Sequence, residues 1–168
     1  MAGESTLNLK LGDFGTFVIF AAIYAAGTIG LPKISLLAYQ VKIGEIPSAF
    51  VALFGFPAIL GLTLGQFIAN LGVEASPIAM LSPVFSFVGL LIIYRSRKFS
   101  TLAGCIAYIV ITGFWLSVML PIVKPEVSTS QAAISVFAGQ FIAVIVGYLA
   151  YLVTARTLSK QGQSSAPQ

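Results

Sequence analysis

The sequence predicts an all-α polytopic membrane protein, a bundle of six transmembrane helices that forms a single domain over residues 1–168. Two observations support this fold class. Of the 168 residues, 58% are hydrophobic and only 8% are charged, whereas soluble domains contain about 25% charged residues. Uncharged stretches of about 20 residues, the length that crosses a bilayer, also recur along the chain. The composition therefore disfavours a soluble enzyme, a nucleic-acid-binding protein and a disordered linker.

Charged and turn-forming residues divide the chain into its helices. The first uncharged run follows Asp13, stops before Pro32, and predicts a helix over about 14–31. The next run, 46–73, is too long for one span and is interrupted by Gly55-Phe56-Pro57, a sequence that ends helices. It therefore predicts two short helices, the second and third, over about 46–55 and 58–71. Three further helices are predicted over about 77–94, 99–122 and 131–154, the last with Ser128, Thr129 or Ser130 available as its N-cap.

Six helices place both termini on one side of the membrane, and the basic residues indicate which side. If the termini are cytoplasmic, the inner face holds six basic residues and the outer face holds three. The inner residues are Lys10, Arg95, Arg97, Lys98, Arg156 and Lys160, and the outer ones are Lys33, Lys42 and Lys124. This distribution follows the positive-inside rule. We therefore expect a multi-pass protein of the cell membrane with cytoplasmic termini.

The composition also limits the chemistry. The sequence contains no histidine, which excludes a histidine metal ligand and an imidazole base. The single Cys105 lies in an apolar run. No GxxxxGK[ST] phosphate-binding loop is present, so the chain does not hydrolyse ATP itself. We predict no enzymatic activity, no bound metal and no cofactor.

Three predicted helices carry small residues at four-residue spacing, which places them on one face of each helix. The rows are Ala22, Ala26 and Gly30 in the first helix (with a second row at Ala21 and Ala25), Gly61, Gly65 and Ala69 in the third, and Ser135, Gly139, Ala143 and Gly147 in the sixth. Such rows let helices approach closely in lipid. Packing within the bundle explains any single row, but three rows suggest that at least one faces another membrane protein.

Polar residues within or beside the spans are the candidates for a binding site, because they are costly in lipid. They are Lys42, Glu45, Gln66, Asn70, Tyr108, Trp115 and Gln140. Structural interpretations remain open: Glu45 as a carboxylate at a helix N-terminus, Gln66 and Asn70 as interhelical hydrogen-bonding groups, and Trp115 as a core residue or a stacking surface. Together they predict an outward-opening cavity for a small, flat ligand with N–H donors, and not a proton or sodium relay.

The size, the helix pattern, the Ala22–Ala26 row and the missing ATPase motif resemble the substrate-binding S component of an energy-coupling factor (ECF) transporter. Within that group, two segments resemble the queuosine-precursor transporter family. They are Val41-Lys42-Ile43-Gly44-Glu45-Ile46 and the stretch 57–70, which has a Gly-Leu-x-Leu-Gly pattern and ends in Ala-Asn. The segment 73–78 departs from the family, whose members usually have a Gly- and Asp-containing turn there.

The resemblance implies that the first external loop, about 32–44, covers a ligand that is a 7-deazaguanine or a close relative. It also implies that Ala22 and Ala26 dock to a membrane coupling subunit, with two cytoplasmic ATPase subunits beneath. Besides the small-molecule substrate and these subunits, membrane lipid is an expected partner and nucleic acid is not. Two alternatives stay open: an S component for another vitamin, and a non-catalytic structural subunit of a larger membrane complex.

Overall fold

A computed structural model describes residues 11–30, 42–73 and 76–164, and its regular secondary structure in these ranges is helical throughout. The six α-helices are α1 (Leu11–Ile29), α2 (Val51–Phe54), α3 (Phe56–Val73), α4 (Ser82–Ser96), α5 (Thr101–Val123) and α6 (Thr129–Ser164). A 3₁₀ helix, Ile43–Phe50, leads into α2, and a shorter one, Ala79–Leu81, leads into α4. The predicted all-α class with six helices is confirmed. The expectations for Lys10, Lys33 and the loop segment 32–41 fall outside the described residues.

Four helical segments are long and apolar enough to cross a membrane. They are Leu11–Ile29, Ala79–Ser96, Thr101–Val123 and Thr129–Lys160. Two shorter apolar segments, Ile43–Phe54 and Phe56–Gly72, complete the bundle. Large apolar side chains such as Ile19, Phe67 and Val110 are exposed on its outside, as expected when the surrounding solvent is hydrocarbon rather than water.

The second segment differs most from its prediction. An α-helix was expected from residue 46, but the chain forms a 3₁₀ helix over Ile43–Phe50 with Pro47 inside it. Because this helix begins at Ile43, Pro47 lies beyond its first turn and has no N–H to donate to the carbonyl of Ile43, which disfavours α-helical hydrogen bonding there. The predicted break at Gly55-Phe56-Pro57 is confirmed, because Gly55 has φ 70° and ψ −149° between α2 and α3. A positive φ is a conformation that glycine adopts without strain.

The last helix is longer than predicted at both ends. It begins at Thr129 and ends at Ser164, because the sequence beyond residue 154 contains no proline or glycine before Gly162 to stop it. Ser128 caps its N-terminus: the Oγ atom accepts from the N–H of Gln131 at 3.3 Å, and Oε1 of Gln131 accepts from the N–H of Ser128 at 3.2 Å. This reciprocal pair is a capping box.

The helices α1 and α3 run parallel in close contact through the small-residue row of α3. A Cβ atom added at Gly65 would lie 2.5 Å from the carbonyl oxygen of Ala21 and 2.8 Å from Cβ of Tyr24, and Gly61 meets Phe17 one turn earlier. This packing places α1 and α3 side by side. The 3₁₀ helix and α2, which connect them in the sequence, run in the opposite direction.

The other helices follow as antiparallel neighbours and close the bundle. Helix α5 packs on α4 where Gly89 meets the ring of Tyr108, and α6 packs on α5 where Gly113 meets the ring of Phe137. The 3₁₀ helix lies between α1 and α6, because Gly44 meets Tyr24 and Gly147 meets the backbone of Ile46. The small-residue row of α6 is therefore also used inside the bundle.

The row on α1 has a different environment. Ala22, Ala26 and Gly30 are exposed, whereas Ala21 and Tyr24 on the opposite side of the same helix are buried. Of the three rows, those of α3 and α6 are thus occupied by internal packing, and the Ala22–Ala26 row stays on the outside of the bundle.

The basic residues in the described part of the chain lie at two opposite ends of the bundle. Exposed Arg95, Arg97, Lys98, Arg156 and Lys160 lie at the end where α1 begins and α6 finishes. Lys42 and Lys124 lie at the opposite end. Lys42, counted in the sequence among the basic residues of the outer face, is buried with 6% of its surface exposed, so it is part of the interior rather than a solvated loop residue.

Candidate ligand-binding site

Glu45 is a buried carboxylate at which three elements meet. It lies in the first turn of the 3₁₀ helix and is 1% exposed. Its Oε1 atom accepts a hydrogen bond from the Tyr24 hydroxyl of α1 at 2.9 Å, and its Oε2 atom accepts from the Tyr108 hydroxyl of α5. The sequence allowed Glu45 to be a capping carboxylate at a helix N-terminus. Both of its oxygens instead accept hydrogen bonds from tyrosine hydroxyls. Glu45 therefore joins α1, α5 and the 3₁₀ helix.

Lys42 is the second charged residue in the interior beside Glu45. The two are the charged residues that are buried in the described part of the chain, and Lys42 precedes the 3₁₀ helix whose first turn contains Glu45. A buried charge without compensation is strongly unfavourable, and an opposite charge nearby lowers that cost.

Tyr108 takes part in two separate hydrogen bonds, one through its side chain and one through its backbone. Its hydroxyl donates to Glu45, and its carbonyl oxygen lies 2.7 Å from Oγ1 of Thr112, one turn later on the same face of α5. The same Oγ1 atom lies 2.9 Å from Oε1 of Gln140 on α6. Gln140 is fully buried, and its Nε2 atom has no hydrogen-bond partner. The predicted residues Tyr108 and Glu45 are thus bonded directly, and Gln140 is bonded to the next turn of the same helix.

Gln66 and Asn70, predicted to act together on α3, have different surroundings. Asn70 donates from Nδ2 to the carbonyl oxygen of Ala79 at 2.8 Å, which joins the end of α3 to the segment before α4. Gln66 is 2% exposed, and its Oε1 atom is buried without a partner. Asn70 therefore has a structural contact that accounts for it, whereas Gln66 retains a free acceptor inside the bundle.

Trp115 makes its ring contact and its hydrogen bond with α4. Its ring stacks on Phe85 of α4 at 4.2 Å between centroids and 11° between planes, and its Nε1 atom donates to Oγ of Ser82 at 2.9 Å. The residue packs against a second hydrophobic cluster that contains Leu116, Met119 and other residues towards the end of α5. In this structure it holds α4 and α5 together.

A comparison with known protein families identifies the family of this chain. The family model described as QueT transporter matches residues 16–156, a range that includes every candidate residue named above. This chain belongs to the QueT transporter family. No match was found among curated proteins or among solved structures. As a QueT transporter with several apolar helices, the protein is a multi-pass membrane protein involved in transport.

The QueT-family protein also has site residues that the sequence did not single out. Tyr24 and Thr112 each make a hydrogen bond that connects two elements around Glu45. Ser48, one turn after Glu45, has a buried hydroxyl without a partner. Tyr24 could have been found from one signal: a tyrosine inside a long uncharged span requires a partner for its hydroxyl when the ring is buried.

Several buried polar atoms of this QueT transporter lack partners within the described residues. They are Oγ1 of Thr28, Oγ of Ser48, Oε1 of Gln66, Oγ of Ser86 and Nε2 of Gln140. A buried group without a hydrogen bond costs about 1–3 kcal/mol, so native proteins rarely leave such groups unsatisfied. These atoms lie in the same bundle interior as Glu45.

Proposed function

We propose that this QueT transporter is the substrate-binding S component of an ECF importer. It binds a queuosine precursor, a 7-deazaguanine, or a similar small nitrogenous base. The observation that carries the proposal is the buried Glu45 carboxylate, which accepts hydrogen bonds from the hydroxyls of Tyr24 and Tyr108. Uptake would take its energy from two cytoplasmic ATPase subunits through a membrane coupling subunit, with the termini of this chain on the cytoplasmic side of the cell membrane.

The chemistry of the carboxylate supports a ligand of this class. An ionised carboxylate offers about four lone-pair positions, and the two tyrosine hydroxyls use two of them. The remaining positions suit the adjacent N–H donors of an aminopyrimidine edge, as carboxylates accept from base amino groups elsewhere. Because the site is buried, each of these hydrogen bonds is stronger than it would be in water.

The remaining candidate residues have three different roles in this proposal: ligand binding, support of the helices and docking. Lys42, Gln66 and Gln140 belong to the ligand site because they are buried and polar. Trp115 and Asn70 support the helices around it, since their polar groups are already bonded to Ser82 and Ala79. Ala22 and Ala26 form the docking face for the coupling subunit.

Binding of 7-deazaguanine to the purified protein tests the proposal. The Glu45→Gln variant keeps the size of the side chain and replaces one acceptor oxygen with an NH₂ group, so we expect it to weaken binding at least roughly tenfold, the equivalent of about 1.4 kcal/mol. Isothermal titration calorimetry in detergent measures the affinity. The matched control is Glu126→Gln, because Glu126 is an exposed loop residue. Equal affinities of the two variants would remove Glu45 from the site.

Mass spectrometry of small molecules that co-purify with the protein separates this proposal from its alternatives. A 7-deazaguanine supports it. A different vitamin or base keeps the S-component role and changes the substrate, and a thermal-shift screen of such solutes then ranks them. No bound solute, no thermal shift with any solute and a stable complex with other membrane proteins would instead favour a structural subunit.

A further inference from the structure

The buried amide of Gln140 has one terminal atom in contact with Thr112 and the other in contact with no hydrogen-bonding group. The contact joins Oγ1 of Thr112 to Oε1 of Gln140 at 2.9 Å, and the unpartnered atom is Nε2. The oxygen and nitrogen of an amide have nearly the same shape, so their assignment follows from the hydrogen bonds around them.

The single proton of Thr112 fixes that assignment. Its Oγ1 atom lies 2.7 Å from the carbonyl oxygen of Tyr108, which can only accept, so the hydroxyl proton is directed there. The hydroxyl then faces Gln140 with a lone pair, and a lone pair needs a donor opposite it. The group of Gln140 next to Thr112 is therefore its NH₂ group, which places the amide oxygen at the unpartnered position.

With the amide in this orientation, the amide oxygen of Gln140 is an unpartnered acceptor, as are the buried Oε1 atom of Gln66 and the remaining lone pairs of Glu45. The unpartnered hydroxyls of Thr28, Ser48 and Ser86 can donate or accept. We propose that Gln140 is a specificity-determining residue that accepts a hydrogen bond from an N–H group of the ligand, with Thr112 as the residue that positions its amide. The assignment rests on the proposed function and refines it: the site takes a base rich in N–H donors.

A panel of ligands tests which end of the amide faces the ligand. The panel consists of 7-deazaguanine and three analogues that each lack one N–H donor: the analogue without the 2-amino group, the N9-methyl analogue and the N1-methyl analogue. We expect Gln140→Leu to weaken binding of 7-deazaguanine about tenfold, or about 1.4 kcal/mol. The loss should fall below about twofold for an analogue that lacks the N–H donor paired with Gln140.

Two results would overturn the proposal. If Gln140→Leu binds 7-deazaguanine as tightly as the wild-type protein does, Gln140 does not contact the ligand. If the loss is the same for all four ligands, no N–H donor of the base pairs with Gln140. Gln140→Met, which retains more of the side-chain shape, is used in the same way if Gln140→Leu lowers the melting temperature. Failure of the wild-type protein to bind any of the four would instead contradict the proposed function itself.

Thr112 provides the second arm of the experiment. Thr112→Val keeps the volume of the side chain but removes the hydroxyl that receives the amide N–H, so the amide of Gln140 is free to turn. We expect a roughly three- to tenfold loss of affinity, the size of one neutral hydrogen bond. Thr112→Ser keeps the hydroxyl and should restore binding to within about twofold. A serine variant that folds but binds as weakly as the valine variant would rule out the positioning role.

Discussion

A single carboxylate is accommodated inside the bundle by partners from three different elements. Glu45 accepts hydrogen bonds from the hydroxyls of Tyr24 and Tyr108, and Lys42 is buried three residues before it. Hydrogen bonds to a charged group contribute more than neutral ones because the charge strengthens them. The residues that donate hydrogen bonds to Glu45 are thus expected to contribute to stability, apart from the binding role that we propose for Glu45.

Tyr24→Phe is expected to destabilise the protein because it leaves Oε1 of Glu45 without its donor. The loss of a hydrogen bond to a charged group corresponds to about 1.5–3 kcal/mol. Thermal unfolding of the detergent-solubilised protein measures it. Tyr148→Phe is the matched control, because Tyr148 packs its ring on Tyr151 and is only partly buried. If both variants melt at the wild-type temperature, the Tyr24–Glu45 bond contributes no stability.

At the scale of residues, the sequence identified some of the buried polar residues and missed others. Glu45 and Gln140 stand out because charges and amides are rare in apolar helices. Tyr24 and Thr112 do not, because tyrosine and threonine are common in such helices and only the packing of α1, α5 and α6 reveals their partners. Trp115 is a ligand-binding candidate in the sequence only because an aromatic ring can stack on a base. Its stacking on Phe85 of another helix cannot be predicted from spacing along one helix.

At the scale of helices, the close packing of α1 and α3 depends on the positions of the glycines in α3. Gly65 brings α3 so near to α1 that a Cβ atom would lie 2.5 Å from the carbonyl oxygen of Ala21, whereas a Cβ atom at Gly72 on the same helix would lie 3.5 Å from the nearest atom, Cδ1 of Ile29. The first distance is a collision with backbone, and the second is an ordinary van der Waals contact.

Gly65→Ala should therefore lower thermal stability, and Gly72→Ala should not. Both variants gain the same helix propensity of about 1 kcal/mol, so the difference between them measures the collision, which we expect to cost about 1–3 kcal/mol. Melting curves of the two purified variants give the comparison. Equal melting temperatures would mean that α1 moves away from α3 at little cost.

The order and type of the helices could be predicted from charges and turn residues, and the break at Gly55 was predicted from its neighbours. The 3₁₀ helix at Ile43–Phe50 was not, because Pro47 is compatible with the first turn of an α-helix as well as with a 3₁₀ helix. Its close contacts with Tyr24 and with Gly147 belong to helices distant in sequence, and no local pattern contains them.

At the scale of the whole molecule, the arrangement of the small-residue rows separates internal from external surfaces. The rows of α3 and α6 are used against α1 and the 3₁₀ helix, whereas Ala22 and Ala26 face outwards. The sequence identified the three rows but could not distinguish them, because the distinction depends on which helices are neighbours. A small-residue face open to lipid is suited to close approach by another transmembrane helix.

Ala22→Leu and Ala26→Leu are expected to impair assembly with the coupling subunit and to leave binding of the base unchanged. The bulkier side chain prevents close approach of a second helix but lies away from buried Tyr24 and Glu45. Co-purification with the coupling and ATPase subunits measures assembly, and calorimetry measures binding. Ala138→Leu on α6 is the control, because Ala138 is also exposed. Normal assembly of both α1 variants would place the docking face elsewhere.

The stacked pair of Trp115 and Phe85 gives this protein a built-in optical reporter. The sequence contains one tryptophan, so all indole fluorescence originates between α4 and α5, beside the hydroxyl of Ser82. A change in the wavelength or intensity of that emission indicates that these two helices have moved or that the hydrogen bond has been lost. Rearrangement of the bundle during a transport cycle can thus be followed in unlabelled protein, in detergent or in lipid vesicles.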